Sequence, residues 1–169
     1  YMKRFILALT VICIMVAGCI KEEKKGADLK VGDAIPSFEV VMNDGSVVSD
    51  ADLKGKVSVV MFFHTSCPDC QQALPRMQQV YDEYASKGVL FVLISREEGL
   101  DTIEAFWNEK GLNMPYSPQN DRKEYEKFAQ DRIPRIYMND ENRIIRHTYS
   151  DNPVPTYDKL KSSLTDLTR

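Results

Sequence analysis

Two apolar runs limit what this chain can fold into. Val57 to Phe63 reads Val-Ser-Val-Val-Met-Phe-Phe, and Val89 to Ser95 reads Val-Leu-Phe-Val-Leu-Ile-Ser. Neither alternates between apolar and polar residues, so each is expected as a strand covered on both faces. Between them Pro68 to Ser86 reads as a helix, stopped by Lys87-Gly88. Strand, helix and strand in that order make a βαβ unit with a right-handed crossover. The Cys67-Pro68-Asp69-Cys70 pair falls where the first strand gives way to the helix.

The flanking segments extend the pattern. Phe38 to Met42 and Ser46 to Val48 enclose Asn43-Asp44-Gly45, a hairpin turn signal. Asp50 to Lys54 reads as a single helical turn closed by Gly55. Asp101 to Lys110 reads as an amphipathic helix with Ile103, Phe106 and Trp107 inward and Gly111 as its cap. A further helix is expected over Arg122 to Gln130, then strands Arg135 to Met138 and Arg143 to Thr148 around Asn139-Asp140-Glu141-Asn142. Pro155 to Leu167 closes the chain as a helix with Tyr157, Leu160, Leu164 and Leu167 on one face. The expected fold is α/β: a central mixed β-sheet flanked by helices, with an N-terminal β-hairpin and one helix inserted in the βαβ unit.

The first residues read as a targeting segment. Lys3 and Arg4 precede an apolar run from Phe5 to Ala17, too short for the roughly 20 residues of a membrane span. Val16-Ala17-Gly18-Cys19 resembles the lipobox of bacterial lipoproteins. That resemblance implies a signal peptide over residues 1–18, lipidation of Cys19, a tether over 19–30 and a folded domain over 31–169. Cys13 would leave with the leader, so Cys67 and Cys70 would remain as the free thiols of an extracytoplasmic, membrane-anchored domain. The formal charge of −3, with 22 basic and 25 acidic residues, leaves no footprint for nucleic acid.

If the helix starts at Pro68, Cys67 is its N-cap and Cys70 its third residue. An N-cap side chain reaches toward free backbone N–H groups at the positive helix end, which favours a thiolate on Cys67. The same spacing brings both sulfurs within bonding range, with Cys67 as nucleophile and Cys70 as resolving thiol. A zinc site needs about four ligands, and only His64 and His147 could join the pair. A structural disulfide closing so small a loop would remove little unfolded-state entropy. The spacing therefore favours redox chemistry with no metal and no cofactor.

These residues resemble a family. Asp33 to Phe38, Asp44-Gly45, Leu53 to Val57, Phe62 to Cys70, Leu74-Pro75 and Arg132 to Ile136 together look like the TlpA/ResA-like branch of the thioredoxin superfamily. The resemblance implies a thioredoxin-like fold and a thiol–disulfide oxidoreductase acting on protein thiols and disulfides, recharged by an upstream thiol donor. It also implies a cis Pro134 against the cysteines, with the Ile133 backbone pairing with the substrate chain. Cytochrome c maturation and disulfide repair are both compatible roles.

The sequence departs from the family at two places: Ser66 stands where tryptophan is usual, and Ala73 where many members carry a glutamate. Asp69 either opposes a Cys67 thiolate, which leans the pair toward a reductant, or simply suits the helix start. His64 either steadies the thiolate or ends the strand, and Pro75 is expected to kink the helix. The leading expectation is a protein-disulfide reductase. A peroxiredoxin-like thiol peroxidase would need proline and threonine or serine at the positions of Val60 and His64. A DsbA-like oxidase would need a large helical insertion, yet Arg96 to Asp121 holds about one helix. A redox-inactive binding module on the same fold is the third reading.

Overall fold

The computed structural model describes residues 28–169; residues 1–27, with Cys13, Cys19 and the expected leader, lie outside the described part. Its main sheet has five strands in the order β5-β4-β3-β6-β7. They are β3 (Ser58–Phe63), β4 (Leu90–Ser95), β5 (Tyr116–Ser117), β6 (Arg135–Asn139) and β7 (Ile145–Tyr149). The β3–β4 and β4–β5 pairs are parallel, whereas β3–β6 and β6–β7 are antiparallel, so the sheet is mixed. Strand β3 sits at its centre with all six residues buried. Helix α1 (Pro68–Tyr84) forms the crossover from β3 to β4. Helix α2 (Leu100–Lys110) leads from β4 toward β5, and α4 (Tyr157–Leu167) closes the chain.

A separate hairpin, β1 (Glu39–Val41) and β2 (Val47–Ser49), is tied to β5 by bonds from Asn43 N–H to the Tyr116 carbonyl and from Ser117 Oγ to the Val41 carbonyl. The segment before it joins β7 through Gly32 N–H to the Ile145 carbonyl and Ile145 N–H to the Asp33 carbonyl. Asp28, the first described residue, is bonded to Gln130 N–H and to Arg135.

Apolar burial holds the layers together. Phe62 packs against Phe128 and Tyr125, and Phe63 against Trp107. Trp107 is itself buried and satisfies its indole N–H on the Met114 carbonyl at 2.9 Å. Both Gly88 and Gly111 end helical segments in the left-handed region, where a side chain would be strained.

The segment expected as a helix over 122–130 is helical only from Lys123 to Glu126, here α3. The physical reason is competition for its backbone groups: Gln130 N–H, which a helix to that residue would direct at the Glu126 carbonyl, donates to the Asp28 carboxylate at 2.9 Å. Phe128 C=O accepts from Leu29 N–H and from the Tyr137 hydroxyl, and Arg132 turns into the left-handed region at φ 63. Arg132 C=O in turn accepts from the Tyr125 hydroxyl. Strand β7 starts at Ile145, because Arg143, at φ 63, belongs to the turn from Asp140. Helix α4 starts after Thr156, whose hydroxyl accepts from Lys159 N–H, so Pro155 lies outside it. The two residues of β5 carry no periodic pattern of their own and escape a reading from sequence.

Candidate active site

Strand β3 ends at Phe63, and residues His64 to Ser66 turn the chain into α1. Cys67 is the N-cap of that helix, with extended backbone at φ −79 and ψ 120, and Pro68 is its first residue. Proline suits this position because its missing N–H would be unpaired anyway. The turn is held by Cys67 N–H donating to the His64 carbonyl at 3.1 Å and by Gln71 Nε2 donating to the Thr65 carbonyl at 2.8 Å. Helix α1 runs as one helix through Pro75.

The sulfur of Cys67 lies elsewhere than N-cap geometry leads one to expect. It makes no hydrogen bond to the helix N–H groups, and its thiol instead faces the Ile133 carbonyl at 3.6 Å. A protonated thiol is a donor and seeks an acceptor, which the helix start does not offer. The Ile133–Pro134 peptide bond is cis, and both residues are buried beside β6. Antiparallel pairing of Phe62 with Arg135 is what brings this segment across from the cysteines.

The two thiols are unbonded and unequal. Cys67 is half-buried, and Cys70 is fully buried. Burial pushes the Cys70 thiol well above the usual thiol range. The His64 backbone N–H and the Arg96 charge pull against that rise, while the neighbouring Cys67 sulfur adds to it. An accessible sulfur backed by a buried protonated one is the asymmetry that thiol exchange in two steps requires.

Around them, Ser66 is exposed, and its N–H and hydroxyl lie 3.2 and 2.9 Å from His64 Nδ1. Asp69 is half-buried in the first turn of α1. Ala73 is fully buried and faces the apolar core. His147 sits on β7 opposite Met138 and takes no part in the cysteine cluster. Among the described residues, no group of three or more His, Cys, Asp or Glu could hold a metal ion.

Two neighbours escape a motif-based reading. Arg96 follows β4 directly, with its guanidinium over the Tyr125 ring at 5.3 Å and its charge felt at Cys70. Glu98, two residues on, is buried, and its carboxylate accepts from Thr65 N–H at 2.8 Å. Their signal was positional: charged residues directly after a buried parallel strand reach the carboxyl end of the sheet, where α/β folds place their sites.

Residues 31–148 match the AhpC/TSA family. The thiol-disulfide oxidoreductase ResA of Oceanobacillus iheyensis is 28% identical, over 98% of this chain and 90% of that protein. Among solved structures, a thiol:disulfide interchange protein of the thioredoxin family from Chlorobium tepidum is similar, with a TM-score of 0.71 and 26% identity. That match covers 85% of this chain and 100% of the other. The thioredoxin domain of a thiol-disulfide oxidoreductase from Bacteroides vulgatus shares the fold, with a TM-score of 0.73 at 20% identity over 84% of this chain and 100% of that one.

Proposed function

Because the chain belongs to the AhpC/TSA family of the thioredoxin superfamily, we propose that it is an extracytoplasmic thiol–disulfide oxidoreductase that reduces protein disulfides through Cys67 and Cys70. The observation that carries this reading is the unequal thiol pair at the start of α1, one sulfur reachable and one buried.

The exchange has two steps. The Cys67 thiolate attacks a substrate disulfide, forms a mixed disulfide and releases one substrate thiol, which takes up a proton. Cys70 then loses its proton and attacks Cys67 Sγ, giving the Cys67–Cys70 disulfide and a second substrate thiol. Two electrons and two protons leave the protein in total. An external dithiol donor returns them. The Ile133 carbonyl, 3.6 Å from Cys67, borders the path by which a substrate chain would approach.

Two features support the reducing direction. Burial keeps Cys70 protonated, and the Cys67 thiol makes no hydrogen bond to the helix end. Strong oxidants of this superfamily depend on a stabilised reduced form. A potential below about −200 mV is expected, and one near −120 mV, the strongly oxidising end, would reverse the direction. A thiol peroxidase is the alternative, but Val60 is fully buried inside β3 and His64 closes the turn, so neither required residue type is present.

The anchor rests on Lys3, Arg4, the apolar run to Ala17 and Cys19. No helix among the described residues is long and apolar enough to cross a membrane. Labelling with a fatty-acid analogue should tag the chain but not its Cys19→Ser variant; equal labelling of both would remove lipidation at Cys19. For the chemistry, Cys70→Ser should accumulate mixed disulfides on Cys67, and a variant that traps no partner under oxidising conditions would count against the two-step exchange.

A further inference from the structure

Glu98 is the one charged residue that is buried among the described residues. A carboxylate withdrawn from water is costly unless donors meet its oxygens. Here the donors come from a single residue on the active-site turn: Thr65 N–H reaches one carboxylate oxygen at 2.8 Å, and the Thr65 hydroxyl donates to the other. His64 Nδ1 lies 3.6 Å from the second oxygen. The chain that carries Glu98 is fixed in its own right. Its carbonyl accepts from Ser95 Oγ at 2.7 Å and from Gln119 N–H at 3.2 Å, and Glu97 turns the backbone through the left-handed region at φ 67. A bulky acid in a left-handed turn is an uncommon and strained arrangement.

The turn of residues 64–66 is thus gripped from two sides. Gln71 on α1 holds the Thr65 carbonyl, and Glu98 beyond β4 holds the Thr65 N–H and hydroxyl. Cys67 follows at once, its N–H bound to the His64 carbonyl. We propose that Glu98 is a positioning residue of the dithiol centre: through its two bonds to Thr65 it fixes the turn that presents Cys67, and so holds the two sulfurs where a disulfide can close. This rests on the exchange chemistry proposed above. Closure demands a narrow geometry, with sulfurs about 2.05 Å apart at a defined torsion. Holding reacting groups in place raises their effective concentration. Loosening the turn therefore lowers the tendency of the pair to form its disulfide.

The test is the equilibrium constant of the full chain with glutathione, read by thiol trapping, for wild type and for Glu98→Ala, Glu98→Gln and Thr65→Val. Glu98→Ala is expected to lower the constant for disulfide formation at least tenfold, about 30 mV toward the oxidising side for a two-electron couple. Glu98→Gln keeps an acceptor for Thr65 N–H and a donor for its hydroxyl, and should return the constant to within threefold of wild type. A smaller effect of Glu98→Ala, whatever its melting temperature, overturns the assignment, as does a Glu98→Gln shift larger than threefold. If Glu98→Ala does not fold, Thr65→Val decides: it should lower the constant at least threefold, and no such change overturns the assignment. A wild-type pair that never equilibrates with glutathione would instead defeat the oxidoreductase reading itself.

Discussion

Burial of Cys70 makes the stability of the reduced protein fall with pH in a way that a single variant can isolate. The thiol is fully buried, and its ionisation is pushed far above the ordinary value of 9.0 by that burial. Below pH 9 the thiol is protonated in both folded and unfolded chains, so its full contribution is present. Above pH 9 the unfolded chain releases the proton and the folded chain keeps it, so stability is lost as pH rises. The limiting slope is about 1.4 kcal/mol per pH unit for one proton. With an unfolded value near 9, the loss from pH 8 to pH 10 is about 1.4 kcal/mol, or roughly 3–6 °C in melting temperature for a domain of this size. Other groups titrate in the same range, among them Tyr125 and Tyr137, both raised by burial. They are common to wild type and Cys70→Ala, so the difference between the two isolates Cys70. Melting curves under a phosphine reductant at pH 8, 9 and 10 should show the wild type losing about 1.4 kcal/mol more than Cys70→Ala. Parallel pH dependences would refute the buried protonated thiol.

Three further outcomes follow from single contacts. Arg96→Gln removes the charge that lowers the Cys70 ionisation, so resolution of a mixed disulfide with a model peptide should slow several-fold while Cys67 alkylation is unchanged; equal rates would refute it. Trp107→Phe leaves the Met114 carbonyl without its indole donor in a buried site and should cost about 1–3 kcal/mol in denaturant unfolding. Leu74→Ala opens a cavity where α1 packs on the core, and about 2–5 kcal/mol should be lost in the same assay.

The parts of the fold legible in the sequence are those whose signal is local or densely apolar. Val57 to Phe63 and Val89 to Ser95 have no polar face to offer water, and they became the central parallel pair. Asn43-Asp44-Gly45 carries its own turn chemistry, with Gly45 at φ 84. Where tertiary bonds outbid local preference, the sequence misleads. The residues after Glu126 have helix-forming composition, yet the Asp28 carboxylate takes the Gln130 N–H that a longer helix would direct at the Glu126 carbonyl. The site follows the same division. Cys67 and Cys70 announce themselves by spacing. Glu98 stands 28 or more residues further along and meets Thr65 only because β3 and β4 pair in parallel, a contact that no local window contains. The direction of the Cys67 sulfur does not follow from the spacing of the cysteines, since the Ile133 carbonyl comes from the segment that leads into β6.

The most direct measurement is insulin reduction by the wild type and by Cys67→Ser, each supplied with the same dithiol donor. If Cys67 carries the exchange, the wild type precipitates the insulin B chain and Cys67→Ser does no more than the donor alone. Wild-type turnover by the Cys67→Ser variant would contradict it.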